Sequence, residues 1–168
     1  VMSLLRNTTA SNNTAFGHSS LKQNTTGTSN VAVGALALDA ATTADNNTAV
    51  GFNAGSTITT GSENTILGGS ALDALTTGTN NVAIGYRALT LATTSSNNTA
   101  VGKDALLANT TGASNTAVGE EALAANTTAS HNIAVGREAL KVNTTGAQNV
   151  AVGNFSLDAN TTADNNTA

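Results

Sequence analysis

Two apolar positions and one glycine keep returning along this chain. A large apolar residue stands immediately before glycine at Phe16, Val33, Val50, Leu67, Ile84, Val101, Val118, Val135 and Val152. The glycines themselves, Gly17, Gly34, Gly51, Gly68, Gly85, Gly102, Gly119, Gly136 and Gly153, each lie 17 residues from the next. Leucine follows four residues after the glycine, as at Leu21, Leu38, Leu72, Leu89, Leu106, Leu123, Leu140 and Leu157, and Gly55 is the exception. Asparagine precedes the glycine by four residues: Asn13, Asn30, Asn47, Asn64, Asn81, Asn98, Asn115, Asn132 and Asn149. No insertion breaks the step, and a fixed internal period marks a repeat architecture.

Between the asparagine and the glycine, phrases such as NTAVG, NVAVG, NVAIG and NIAVG are rich in β-branched residues and alternate in size. They predict a short strand whose first and third residues share one face while its alanine occupies the other. Glycine then permits a tight corner with positive φ. The xxALxx segment is expected to return as a second short strand. NTTG and TTAD make the next turn through Asn, Asp and Thr side chains. Stacked about 4.8 Å apart, roughly ten coils make a rod on the order of 48 Å long with ladders of identical residues.

The expected fold is therefore all-β, a parallel β-solenoid of the left-handed β-roll type. One array spans residues 1–168, as a segment of a longer fibre protein. A strand-plus-helix repeat is the alternative, because GREALKVN and GKDALLAN each suit one or two helical turns. The Gly, Ser and Thr of FNAGSTITTG oppose it.

The Val and Leu columns are expected to fill the interior. The alanine row, broken only by Ile66, is then expected to face another chain. The energy balance agrees: two large apolar side chains per coil contribute ~1.5–3 kcal/mol each, whereas ordering a coil costs ~1–2 kcal/mol per residue. A lone thin rod looks underfilled, which favours an oligomer.

Composition narrows the function. Charged residues make up 10% and aromatics 2%, net charge is −4, and Cys, Trp and Pro are absent. No basic surface suggests nucleic acid. No apolar run reaches the ~20 residues of a membrane span, so no membrane insertion is expected in this segment. Without Cys there are no disulfides or thiolate metal sites. Strict periodicity separates the chain from disordered low-complexity tracts. Charges keep to the corners; Lys103, Glu120 and Arg137 succeed one another in one column, a device for solubility and register.

Catalytic chemistry finds little to use. His18 and His131 lie in different columns many coils apart, and no nucleophile–base pair stands out among the abundant, periodic Ser and Thr. Asp39, Asp73 and Asp158 share a column but not adjacent coils. No catalytic, cofactor or metal residue is assigned, and no enzyme activity is expected. The Asn-x-Thr sites at Asn7, Asn24, Asn109, Asn126, Asn143 and Asn160 suit turn and ladder chemistry; glycosylation would need a eukaryotic secretory source.

One region departs from the consensus. The column before the Thr pair is Asn near both ends, but Ala41, Ile58, Leu75 and Ala92 in the middle. Either these residues form an apolar contact strip for another chain, or Ile58 turns inward and fills the space left at Gly55. Phe52 and Tyr86 sit just after their glycines in the same region.

The phrases NNTAVG, NVAIG and NIAVG resemble the YadA-type head repeats of trimeric autotransporter adhesins. The longer phrase NTAVGxxALxxNTTGxxN is similar to repeats of bacteriophage tail fibres and related surface fibres. The resemblance covers the whole chain. It implies a left-handed parallel β-roll, a homotrimer and a head that binds host or matrix surfaces; the family has no catalytic residues to carry over. The expectation is a stiff shaft of a virion tail fibre or cell-surface adhesin, outside the cell, that mediates attachment. Its partners would be copies of itself and a host-surface protein or glycan. The alternatives are a subunit of a self-assembling extracellular filament, and an ice- or glycan-binding solenoid using the Thr rows. Adjacent Thr side chains point opposite ways in a strand, which counts against a flat two-column Thr face.

Overall fold

Each repeat extends its backbone where β-branched residues crowd around one alanine. A computed structural model, which describes residues 2–168, shows nine such strands. They are β1 (Thr14–Phe16), β2 (Val31–Val33), β3 (Thr48–Val50), β4 (Thr65–Leu67), β5 (Val82–Ile84), β6 (Thr99–Val101), β7 (Thr116–Val118), β8 (Ile133–Val135) and β9 (Val150–Val152). All pair in parallel, in sequence order, within one sheet. Register follows the period, with Ala15 beside Ala32 and Ala100 beside Ala117. A bridge from Val150 to Thr167 starts a further rung. The chain is a parallel β-solenoid. No helix occurs among the described residues, so the strand-plus-helix alternative falls.

The glycine after each strand makes the corner. At Gly85 φ is 132°, and a Cβ there would lie 2.5 Å from the Gly102 carbonyl oxygen of the next coil. An L side chain fails on both counts, conformation and space.

The xxALxx segment is not a second strand. It is a run of turns. The second and fourth residues after the glycine have left-handed backbone, as at Leu36 (φ 62°) and Leu38 (φ 50°). The Ala41 N–H donates back to the Leu38 carbonyl at 3.2 Å. Coil-to-coil bonding nonetheless continues: Leu36 N–H donates to the His18 carbonyl at 2.9 Å and Leu38 N–H to the Ala54 carbonyl at 3.1 Å. The reason lies in the sequence neighbours Ala37 and Leu38, which are both fully buried. A strand sends neighbours to opposite faces; alternating right- and left-handed residues send both inward. A left-handed leucine costs roughly 1–2 kcal/mol, and burying its side chain returns roughly 1.5–3 kcal/mol.

The same geometry reverses the expected faces of the sheet. The strand alanines Ala32, Ala49, Ala83, Ala100, Ala117, Ala134 and Ala151 are fully buried, with Ile66 in the same row. They meet the chain's own Leu row, not another chain. Leucines reaching across from the turn side leave only about a methyl's depth beneath the sheet, so the small residue must point inward. Strand alternation then turns the first and third residues outward. Phe16 is 77% exposed and Val152 61%. The Val column therefore belongs to the surface, not to the interior.

The contact-strip reading of Ala41, Ile58, Leu75 and Ala92 also falls, because all four are fully buried within the chain. The repacking alternative holds. Gly55 occupies the left-handed leucine position (φ 58°), and a Cβ on it would meet Ile66 Cδ1 at 2.7 Å, Ile58 Cδ1 at 3.0 Å and Leu38 Cδ2 at 3.2 Å. Two isoleucines from neighbouring columns thus fill the volume of the missing leucine.

Candidate functional site

Inside the rod the polar groups form ladders. Each asparagine preceding a strand is buried from Asn30 to Asn149. Its carbonyl oxygen accepts the backbone N–H of the equivalent asparagine one coil on, as from Asn47 to Asn30 at 3.0 Å and from Asn132 to Asn115 at 2.9 Å. Amide also pairs with amide, Asn64 Nδ2 donating to Asn47 Oδ1 at 3.0 Å and Asn81 Nδ2 to Asn64 Oδ1 at 3.1 Å. The other proton goes to a turn carbonyl, as from Asn98 to Gly112 at 2.9 Å. Buried amides satisfied in this way add directional order to a core of methyl groups.

A second ladder runs through the asparagines before the Thr pairs. Asn126 Nδ2 donates to Asn109 Oδ1 at 2.9 Å, and Asn109 Nδ2 to the Gly112 carbonyl at 2.9 Å. The two ladders meet on shared carbonyls: Ala129 O accepts from Asn115 and Asn126, and Gly146 O from Asn132 and Asn143. The second ladder stops where Ala41, Ile58, Leu75 and Ala92 replace asparagine. Asn24 Oδ1, whose donor would come from position 41, is buried without a partner.

The Thr rows are spent on structure. The first hydroxyl of each pair donates to the equivalent Thr carbonyl of the next coil, Thr25 to Thr42 at 3.0 Å and Thr110 to Thr127 at 3.0 Å. The second Thr is exposed. The buried asparagines of the Asn-x-Thr sites, Asn24, Asn109, Asn126 and Asn143, are likewise committed inside the rod.

Charges gather on one corner. Lys103 bridges Asp104 at 3.2 Å and Glu120 at 3.4 Å, Arg137 bridges Glu138 at 2.6 Å, and Lys141 bridges Glu121 at 2.5 Å and Glu138 at 3.0 Å. The Asp104 and Glu120 carboxylates hold the Lys103 ammonium above its usual value. Those of Glu121 and Glu138 do the same for Lys141. The Lys141 hydrogen bond holds the Glu138 carboxyl below its usual value, against a smaller opposing effect of burial. The positive and negative groups are matched within the chain.

His18 and His131 stand exposed on different corners. Asp73 accepts from Ser56 Oγ and Asn53 Nδ2, and Asp39 and Asp158 lie in other coils. Among the described residues no cleft is found, and no group of three His, Cys, Asp or Glu lies close enough for a metal ion.

What remains is surface. The outward strand positions from Thr14 to Val152 form two parallel columns about 38 Å long. Thirteen of these eighteen residues are apolar, five are threonine, and none carries charge. No family model, curated protein or solved structure matches the chain.

The outward face was missed from sequence because alternation fixes which residues share a face, but not which face looks inward. The available signal was the size of the leucine four residues after each glycine, too large to leave room for a second large row. All four aromatics, Phe16, Phe52, Tyr86 and Phe155, are also exposed.

Proposed function

We propose that the chain is a structural shaft segment of an extracellular fibre, a virion appendage or a cell-surface adhesin, built from several copies of itself. The observation that carries this reading is the uncharged outward sheet face. Exposed apolar surface of this continuity marks an interaction site, and its straight, repeating columns suit an equally regular partner. Another copy of the chain has the same coil spacing along its whole length. The number three comes from the resemblance to trimeric adhesin heads and phage fibres, as does attachment to a host-surface protein or glycan. The mechanism is mechanical: coils joined by backbone and asparagine ladders make a stiff spacer, and burying the sheet face joins the spacers side by side.

Sedimentation velocity on the 168-residue segment tests this. The expected result is a discrete trimer. Val50→Lys with Val101→Lys, on the outward face, should yield a monomer with unchanged far-ultraviolet circular dichroism. A wild-type segment that stays monomeric while well folded would sink the assembly reading. An open series of larger species would favour the filament.

A further inference from the structure

We infer that Phe52, Gly69 and Tyr86 form a flat platform for an extended β-linked hexose polymer lying along the rod. This deepens the attachment part of the fibre reading and rests on it. The three residues occupy one column, just after the corner glycine, in three successive coils. Phe52 and Tyr86 are 60% and 55% exposed. Gly69 between them carries no side chain, and Tyr86 Cδ2 lies 3.7 Å from the point where a Cβ of Gly69 would stand. The tyrosine ring thus leans over the glycine and into the gap between the two aromatics.

Three observations point to a sugar polymer. The backbone positions that carry the two aromatics repeat at two coils, about 9.6 Å, close to the length of one disaccharide unit in an extended β-linked chain. Every second pyranose could then set its C–H face on a ring. Polar groups stand at the platform in fixed positions: the Arg87 guanidinium lies over one face of the Tyr86 ring, 5.9 Å from its centroid, and is tied to Asp104 at 3.4 Å. In the same column two coils earlier, Asn53 Nδ2 is held by Asp73 at 3.2 Å. Such pairs offer donors and acceptors to sugar hydroxyls at little ordering cost. Finally, the described residues hold no cleft. A proline-rich peptide is gripped in a groove between aromatic walls, whereas a sugar chain needs only a flat, amphipathic surface.

Tyr86 is the only tyrosine and the chain has no tryptophan, so tyrosine emission reports this site alone. Titration with cellohexaose should change that emission, while the α-linked maltohexaose and decaproline should not. Affinity electrophoresis through hydroxyethyl cellulose should retard the protein. Phe52→Ala and Tyr86→Ala should each weaken retardation about tenfold, and together abolish it. The pair Gly69→Tyr with Tyr86→Gly keeps both aromatics but sets them one coil apart, and should lose retardation as well. Sedimentation of all these variants should match the wild type, which separates this proposal from the assembly reading. No response to cellohexaose, an equal response to maltohexaose, or retained retardation in the shifted variant would overturn it. A response to decaproline alone would assign the platform to a protein ligand. A changed oligomeric state in Tyr86→Ala would assign it to contacts between copies.

Discussion

Around Ile58 and around Asn126 the chain follows the same coiled path with opposite chemistry at the same column. Ile58 and Leu75 fill their coils with hydrocarbon. Asn109, Asn126 and Asn143 fill theirs with amides that bond to one another and to turn carbonyls shared with the first ladder. The backbone does not register the difference: the leucine column keeps φ near 50° in both regions, at Leu72 as at Leu123. The 17-residue step is thus held by features common to both regions: the corner glycine, the strand alanine, the left-handed turn residues and the first asparagine ladder. The remaining column only has to be filled, by packing or by satisfied hydrogen bonds.

The largest expected effect comes from forcing the central region back to the consensus one residue at a time. Gly55→Leu adds a side chain where two isoleucine methyls and Leu38 already stand, in a left-handed conformation. Overpacking and backbone strain together should cost about 2–5 kcal/mol in urea unfolding. Adding Ile58→Ala and Ile66→Ala gives that coil the same three residues as the coil before it, Leu38, Ala41 and Ala49, and should recover most of the loss. If the triple variant is no more stable than Gly55→Leu alone, the isoleucines are not the replacement for the leucine.

Next in size is the reverse operation on the amide side. Asn126→Ala leaves Asn109 Oδ1 buried without its donor and removes one of two bonds to the Ala129 carbonyl. Unsatisfied buried groups cost about 1–3 kcal/mol. Ile58→Val, which trims one methyl from the dry region, should cost only about 0.5–1.5 kcal/mol. Equal losses at the two sites in thermal unfolding would show that the ladder acts as simple filling.

Smaller, and of opposite sign, is Ala41→Asn. It would extend the second ladder by one rung and give Asn24 Oδ1 its missing donor. A net hydrogen bond is worth about 1 kcal/mol, so the melting temperature should rise. A fall would mean that Ile58, one coil on, leaves no room for an amide, and that the boundary between the two regions is set by packing.

Much of this was open to reading in the sequence, and the rest was hidden for specific reasons. The unbroken step from Gly17 to Gly153 specified a stack of parallel strands, and the unbroken asparagine column specified a ladder. The replacement of Leu by Gly55 beside an unexpected Ile58 was readable as compensation. Strand alternation, however, has parity without sign, so Val and Ala were placed on the wrong sides. Burial of both Ala37 and Leu38 required left-handed backbone at a leucine, which propensity disfavours and only the packing of the finished coil supports. The meeting of two ladders on one carbonyl joins residues 14 and 3 positions away from it, a relation visible only once the coil is closed.

The least effect should come from the charged corner, which further distinguishes the two regions because all its ion pairs lie from Arg87 onward. Glu138 has its pKa lowered by folding, so its contribution is present above the ordinary carboxyl value and is lost as pH falls through the lowered one. Lys103 and Lys141 have theirs raised, so their contribution is present below the ordinary ammonium value and is lost as pH rises through the raised one. Stability should therefore be flat across the neutral range and decline slightly at both extremes. These side chains are solvated, so about 0.5 M salt should flatten the profile. Lys141→Met should shrink both arms, since it removes the main partner of Glu138 along with one of the two lysines. An acid or alkaline loss that persists in salt would point away from this corner and toward titration elsewhere in the chain.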